Sequence, residues 1–209
     1  MELFVLVCMS CCALSVPPFA LAFVYLVRIP GVRDRTQQLG EALGFEPGPA
    51  ARRARWWVGT HRGHPAALAP VALQIGRAQL HHRTIFGLRL VVIPSCEPLE
   101  AVVFRSVTAK ARTETFEGAF QRIGEVDTLP EAVKEAMLAY VQQHDGGLRI
   151  RNRADAPPQL LGPVLFRDAQ VVVAAEFTRS ICDVASVRAR LDAMVRIAEA
   201  LEAGSEREG

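Results

Sequence analysis

At 209 residues the chain has room for one ordinary domain and an apolar anchor, and a second large core is excluded by length. Its 24 basic and 22 acidic residues nearly cancel, so charge matters here through its distribution. Five cysteines, three of them in the first 12 residues, leave only Cys96 and Cys182 elsewhere, which excludes a framework of paired cysteines. Lysine occurs only at 110 and 134 against a background of arginine and alanine, a composition that reads as a high-GC bacterial coding bias.

From Leu3 to Val27 no residue is charged. As a helix these residues extend about 37 Å at ~1.5 Å each, enough to cross a bilayer core of about 30 Å with tilt or a kink. Pro17 and Pro18 supply the kink, and Ser15 or a neighbouring helix can serve the freed carbonyls. A cleaved signal peptide competes through the Ala20-Leu21-Ala22 site, but the segment before the apolar run holds Glu2 and no basic residue, and the run is too long. Cys8, Cys11 and Cys12 lack the preceding residues of a lipidation signal, and within a membrane they pack as small apolar side chains, offering a surface to a membrane-protein partner. Only Glu2 precedes the run, whereas Arg28, Arg33 and Arg35 follow it. The expectation is a single-pass protein of a bacterial inner membrane, N-terminus outside and domain cytoplasmic.

The expected layout is a transmembrane helix (1–27), a juxtamembrane helix and Pro/Gly/Arg loop (28–54), an α+β domain (55–203) and a disordered tail (204–209). Residues 33–43 read as a short helix with Thr36 as its cap and Gly44 as its stop. Trp56–Thr60 and His64–Ile75 flank a turn as strands. Thr84–Ile93 is a further strand with Phe86, Leu88, Leu90 and Val92 on one face, and Ala101–Val107 another. Thr128-Leu129-Pro130-Glu131 has capping-box spacing and opens a helix to about Gln143, with Val133, Met137, Leu138 and Val141 buried. Leu148–Asn152 and Gln170–Phe177 are strands. A last helix over 183–203 turns Val184, Val187, Leu191, Met194, Val195, Ala198 and Leu201 inward, with Arg188, Asp192 and Arg196 on its solvated face. Strands in a meander, then helix, strands and helix, predict an α+β fold: a mainly antiparallel sheet covered by helices.

LGEALGF at 39–45, VGTHRGHP at 58–65, ETFEGAFQRIGE at 114–125 and LDAMVRIAEALE at 191–202 together resemble a group of bacterial single-pass membrane-anchored α+β proteins without assigned activity. Phe116, Phe120 and Gly124 carry the Phe-x-x-x-Phe-x-x-x-Gly pattern of that resemblance. Glu114 stands in a segment where the group often has Asp. The resemblance implies a tethered domain and transfers no catalytic residue.

No chemical motif stands out. There is no Gly-x-Ser-x-Gly elbow around Ser106, Ser180 or Ser186 and no phosphate-cradling glycine loop. Neither catalytic residues, a metal nor a cofactor is assigned. His61, His64, His81 and His82 lack a metal-ligand spacing, and Glu125 and Asp127 read as charges before a helix N-terminus. An enzyme would have to assemble its site from scattered groups such as His61, His64 and Asp127. Charge is segregated: residues 28–113 carry 13 basic against 5 acidic side chains, and 114–147 carry 2 against 7. Arg52, Arg53 and Arg55 precede Trp56 and Trp57, a basic-aromatic pairing that, with Arg28, Arg33 and Arg35, suggests contact with anionic lipid headgroups at about 1 kcal/mol per Arg. The alternative is that the tryptophans are core residues. Arg149, Arg151 and Arg153 alternate along one strand and share a face, which reads first as a solvent-facing stripe and otherwise as a set of candidates for anion contact. No aromatic residues interleave with them, so no nucleic-acid partner is expected. These features favour a membrane-tethered interaction or scaffold domain.

Overall fold

The computed structural model describes residues 30–48, 56–75, 83–99, 101–105, 115–124, 129–152, 169–178 and 183–205. The apolar run 3–27 lies outside them, and no described helix is long and apolar enough to cross a membrane. The α+β class holds, with an antiparallel sheet and helices.

Helix α1 spans Pro30–Leu43, opening on a proline that needs no donor in the first turn and ending at Gly44 with φ 75°. Thr36 lies inside this helix and is buried, so it is not the expected cap. A two-residue strand β1 (Glu46–Pro47) leads to the hairpin β2 (Trp57–His61) and β3 (His64–Ile75). His61 pairs with His64, which leaves Arg62-Gly63 as a two-residue loop. Their φ values of 49° and 88° are both positive, as a type I′ turn requires, and its twist matches that of the strands. Strand β4 (Arg83–Val92) pairs with β3 over Ala66–Ile75. Pro70 falls beyond Leu68, the last β3 residue that β2 pairs, where a missing donor is tolerated.

The remaining elements are β5 (Ala101–Arg105), a single-turn helix α2 (Phe116–Ala119), β6 (Gln121–Gly124), α3 (Glu131–Gln143), β7 (Gly147–Asn152), β8 (Val171–Thr178) and α4 (Val184–Ser205). Thr115 caps α2, its hydroxyl accepting from Gly118 N–H at 3.3 Å, and the Phe116 and Phe120 rings meet at 5.0 Å. The Phe-x-x-x-Phe spacing therefore serves this turn and the strand β6 that follows. Helix α3 begins two residues later than a Thr128 capping box needs: its N-cap is Pro130, with no side-chain capping bond. Its inner face is Val133, Met137, Tyr140 and Val141, so Tyr140 takes the place expected of Leu138, which is only half-buried.

The described strands form one antiparallel sheet in the order β1-β2-β3-β4-β8-β7-β5-β6. Strand β8, late in sequence, inserts between the β4 and β7 halves. One face carries Trp57, Leu68, Leu88, Leu90, Val92, Leu148, Ile150, Val173 and Phe177 and packs on α1, α3 and α4. Helix α1 sits close because Gly40 has no side chain: a Cβ there would overlap the Trp57 indole. The other face is also withdrawn from solvent, with Trp56, Ala67, Ala69, Val91, Val172 and Ala174 forming a second cluster. Because β8 is buried on both sides, it reads as a nearly continuous apolar run, Val171 to Ala175.

Candidate functional site

The sequence places chemistry-bearing residues far apart, and the fold gathers them in three places. The first is where the β2–β3 hairpin tip meets α4. The type I′ turn sets His61 and His64 opposite one another on the same face of the sheet. His61 Nε2–H donates to Asp192 Oδ1 at 2.7 Å, and Arg62 Nε–H reaches the same oxygen at 2.7 Å. Ten residues along α4, Glu202 Oε2 accepts from His64 Nε2–H at 3.2 Å, while its Oε1 accepts from the Ser95 backbone N–H at 2.6 Å. An ionised carboxylate only accepts, which assigns the Nε2–H tautomer to both histidines. Partial burial opposes ionisation at Asp192, but the bonds from His61 and Arg62 outweigh it and hold its carboxyl below the ordinary range. Asp192 is thus a docking residue of α4 and not part of a solvated charge stripe.

Cys96, beside Ser95, is a free thiol and half-buried. Burial, and secondarily the Glu202 charge, push it up to about 11. That is opposite to the electropositive setting that activates a thiol nucleophile.

The second gathering lies on the sheet face away from the helices. Glu176 on β8 stands directly across from Arg89 on β4 and diagonally from Arg149 on β7, whose own partner in register is Ala174. Its Oε1 accepts from Arg89 Nε–H at 2.9 Å and its Oε2 from Arg149 Nη2 at 3.2 Å. With only 6% of the Glu176 side chain exposed, the carboxylate is held almost entirely by these two guanidinium groups. Arg151 shares the face, two residues on and opposite Val172. The alternation expected for Arg149 and Arg151 is therefore present. Arg149, however, is bound by an internal carboxylate, and Arg153 lies outside the described residues.

The third is the joint between α3 and α4. Arg190 is 2% exposed, the largest fully buried side chain of the described residues. Its Nη1 donates to the Asp145 carbonyl at 2.6 Å, just past the C-terminus of α3, and its guanidinium lies 4.4 Å over the Phe177 ring. The negative end of the α3 dipole and the ring quadrupole both favour a cation there. Burial raises the Tyr140 hydroxyl and lowers the His144 imidazole, with the neighbouring Arg190 charge opposing the first shift and adding to the second.

The remaining sequence candidates fall as follows. Trp56 and Trp57 are 3% and 5% exposed and point to opposite faces of the sheet, so both are core side chains in this fold. Of the arginines grouped with them, Arg35 is exposed on α1, Arg33 lies within that helix, and Arg28, Arg52, Arg53 and Arg55 lie outside the described residues. The same holds for Cys8, Cys11, Cys12, His81, His82, Glu125, Asp127 and Cys182. Among the described residues no group of three or more His, Cys, Asp and Glu side chains is arranged to hold a metal ion. Sequence reasoning missed Arg190 and Glu176. A signal for each was present: Arg190 sits three residues after Val187 and four before Met194, on the inward stripe of α4. Glu176 is the one acid in the apolar strand Val171–Thr178.

No family model, no curated protein and no solved structure matches the chain, so the resemblance drawn from residues 39–45, 58–65, 114–125 and 191–202 carries no further argument.

Proposed function

We propose that this chain is a membrane-tethered, non-catalytic interaction or scaffold domain, held by the apolar run Leu3–Val27 at the cytoplasmic face of a bacterial membrane. The observation that carries this reading is that its chemistry-bearing groups are taken up by one another. His61 and His64 are bound to Asp192 and Glu202, and Glu176 to Arg89 and Arg149. The Cys96 thiol is held protonated. In the Nε2–H tautomer each histidine keeps a lone pair on Nδ1, and that of His64 is sealed from solvent, out of a substrate's reach. These side chains instead join the hairpin, the sheet and α4 into one unit. Helix α1 supports a tether of defined direction, because it starts at Pro30, three residues past the apolar run, and docks on Trp57 through Gly40. The alternative, an enzyme built on His61, His64 and Asp127, has no observation in its favour.

Two measurements on the full chain in bacterial membranes test the proposal. Alkaline carbonate extraction is expected to leave the protein in the membrane pellet, and release into the supernatant would end the tether. Photo-crosslinking from the exposed positions Glu135, Gln142, Arg188 and Arg196 is expected to give a discrete heteromeric adduct from at least one of them. Absence of any such adduct from all four would remove the interaction reading.

A further inference from the structure

The β3–β4 pair outruns the rest of the sheet. The two strands are paired from Ala66–Val92 out to Ile75–Arg83, but β2 covers β3 only as far as Leu68 and β8 covers β4 only as far as Gly87. Beyond those points, among the described residues, the chain continues as a two-stranded ribbon. Its first pairs, Val71 with Gly87, Ala72 with Phe86 and Leu73 with Ile85, include no polar residue. A strand that faces water on one side alternates apolar with polar residues, and this stretch does not. A two-stranded ribbon is also marginal at best by itself in water. The ribbon therefore calls for a partner that offers an apolar layer.

Helix α1 shows which way the ribbon points. A Cβ at Gly59 would meet the Phe45 ring and one at Gly40 the Trp57 indole, so from Phe45 back to Gly40 the chain moves toward the start of β2. Pro30 lies a further ten residues back, about 15 Å at ~1.5 Å per residue. Ile75 lies seven residues past Leu68, the partner of Trp57, about 23 Å at ~3.3 Å per residue. The start of α1 and the tip of the ribbon thus leave the domain at the same end. Charge is partitioned along the same axis. Connections 48–56, 76–82, 106–120, 144–146 and 179–183 join strand and helix ends at this end of the sheet, with seven basic residues against four acidic ones. The two beside α1, 48–56 and 76–82, hold Arg52, Arg53, Arg55 and Arg77 and no acid, and Arg83 opens β4. At the opposite end, connections 62–63, 93–100, 125–130 and 153–170 hold three basic residues against six acidic ones.

We propose that the β3–β4 ribbon is a second membrane contact, lying against an anionic lipid surface beside the tether. This rests on the tether reading, which puts the apolar run, and with it the bilayer, at the start of α1. A bilayer supplies both things the ribbon calls for: an apolar layer for the pairs from Val71–Gly87 to Leu73–Ile85, and negatively charged headgroups for the arginines around them. A nucleic acid would supply only the charge.

Photo-crosslinking of the full chain in lipid nanodiscs tests this. A benzophenone side chain placed at Gln74 and, in a second variant, at Ile75 samples both faces of the ribbon, and Glu97, exposed at the opposite end of the sheet, is the control position. In discs of mixed phosphatidylcholine and phosphatidylglycerol, mass spectrometry is expected to find lipid adducts at 74 or 75 and none at 97. The ribbon yield is expected to fall several-fold in phosphatidylcholine alone. The inference is overturned by the absence of lipid adducts at the ribbon, by crosslinks only to protein (within the chain or to a second copy), or by yields that are equal at 97 or equal in the two lipids. Co-elution of the chain with the discs reports on the tether separately. A chain that elutes free of them defeats both readings, whereas one that co-elutes without ribbon adducts defeats this inference alone.

Discussion

Replacing Gly40 with alanine tests the docking of α1 because two effects of opposite sign compete. In an exposed helix interior, Gly→Ala stabilises by about 1 kcal/mol through backbone entropy. In this fold the new Cβ would overlap the Trp57 indole at Cγ, Cδ2 and Cε3, atoms at the root of the ring. Trp57 is 5% exposed and lies on β2, paired with Leu68, so the indole cannot move aside without shifting the strand. Overpacking of this kind costs about 1–3 kcal/mol, and overlap with a ring root belongs at the upper end. The net expectation is destabilisation by about 2 kcal/mol, or a fall of roughly 4–8 °C in Tm for a domain of this size. Urea unfolding of the full chain in detergent, followed by tryptophan fluorescence, reads it; both indoles report on buried positions. Trp57→Val supplies the control: in that background the overlap is gone, and Gly40→Ala should turn neutral or stabilising, a coupling well above 1 kcal/mol. If Gly40→Ala stabilises the unmodified chain, or costs the same in both backgrounds, the close approach of α1 to β2 is refuted.

Three further outcomes follow from the ion pairs and shifted groups. Glu176→Gln leaves Arg89 and Arg149 facing each other without their carboxylate and should destabilise by about 3 kcal/mol, measured as a lower urea midpoint with unchanged slope. On acidification two losses should separate. The His144 pKa is lowered in the fold, so the unfolded chain takes its proton first and stability falls as pH drops below the unfolded value of about 6.5. The Asp192 pKa is also lowered; its contribution, about 0.2–1 kcal/mol for so exposed a pair, is complete above about pH 4 and is lost as pH falls through the folded value. His144→Gln should flatten the first limb and Asp192→Asn the second, and an unchanged pH profile in either variant would contradict the assignment. Alkylation of Cys96, followed by peptide mass spectrometry, should be on the order of 10-fold slower or more at pH 8.5 than for an unperturbed thiol, because a pKa of about 11 leaves little thiolate and the higher nucleophilicity of a more basic thiolate offsets only part of that loss.

Local physics wrote much of the fold into the chain. The alternation Leu88, Leu90, Val92 and Val171, Val173, Ala175, Phe177 sets the strands and their helix-side face, and the 3.6-residue stripe of α4 sets its burial. Gly63 with Arg62 sets the hairpin, and Gly44 the end of α1. These signals act within a few residues, so they are legible without tertiary contacts. The pairing order is not local: β8 joins β4 and β7, and nothing within Val171–Thr178 names those neighbours. The same limit governed the candidate sites. Arg149, read from alternation as part of a solvent-facing stripe or a contact for an external anion, meets an internal one because Glu176 arrives 27 residues later on the adjacent strand. Asp192, read as solvated from its spacing to Arg188 and Arg196, is drawn to His61 and Arg62 across 131 residues. Trp56 and Trp57, suggestive of an interface beside three arginines, fall on opposite faces of a sheet that is buried on both sides.

By itself the sequence determined the α+β class, the helices and strands, the hairpin turn and most of the helix-side core, because hydrophobic periodicity and turn chemistry are properties of neighbouring residues. Only the tertiary structure decided which charges would find one another. Whether two ionisable side chains meet depends on distances of a few ångströms between segments far apart in sequence, up to the 138 residues that separate His64 from Glu202.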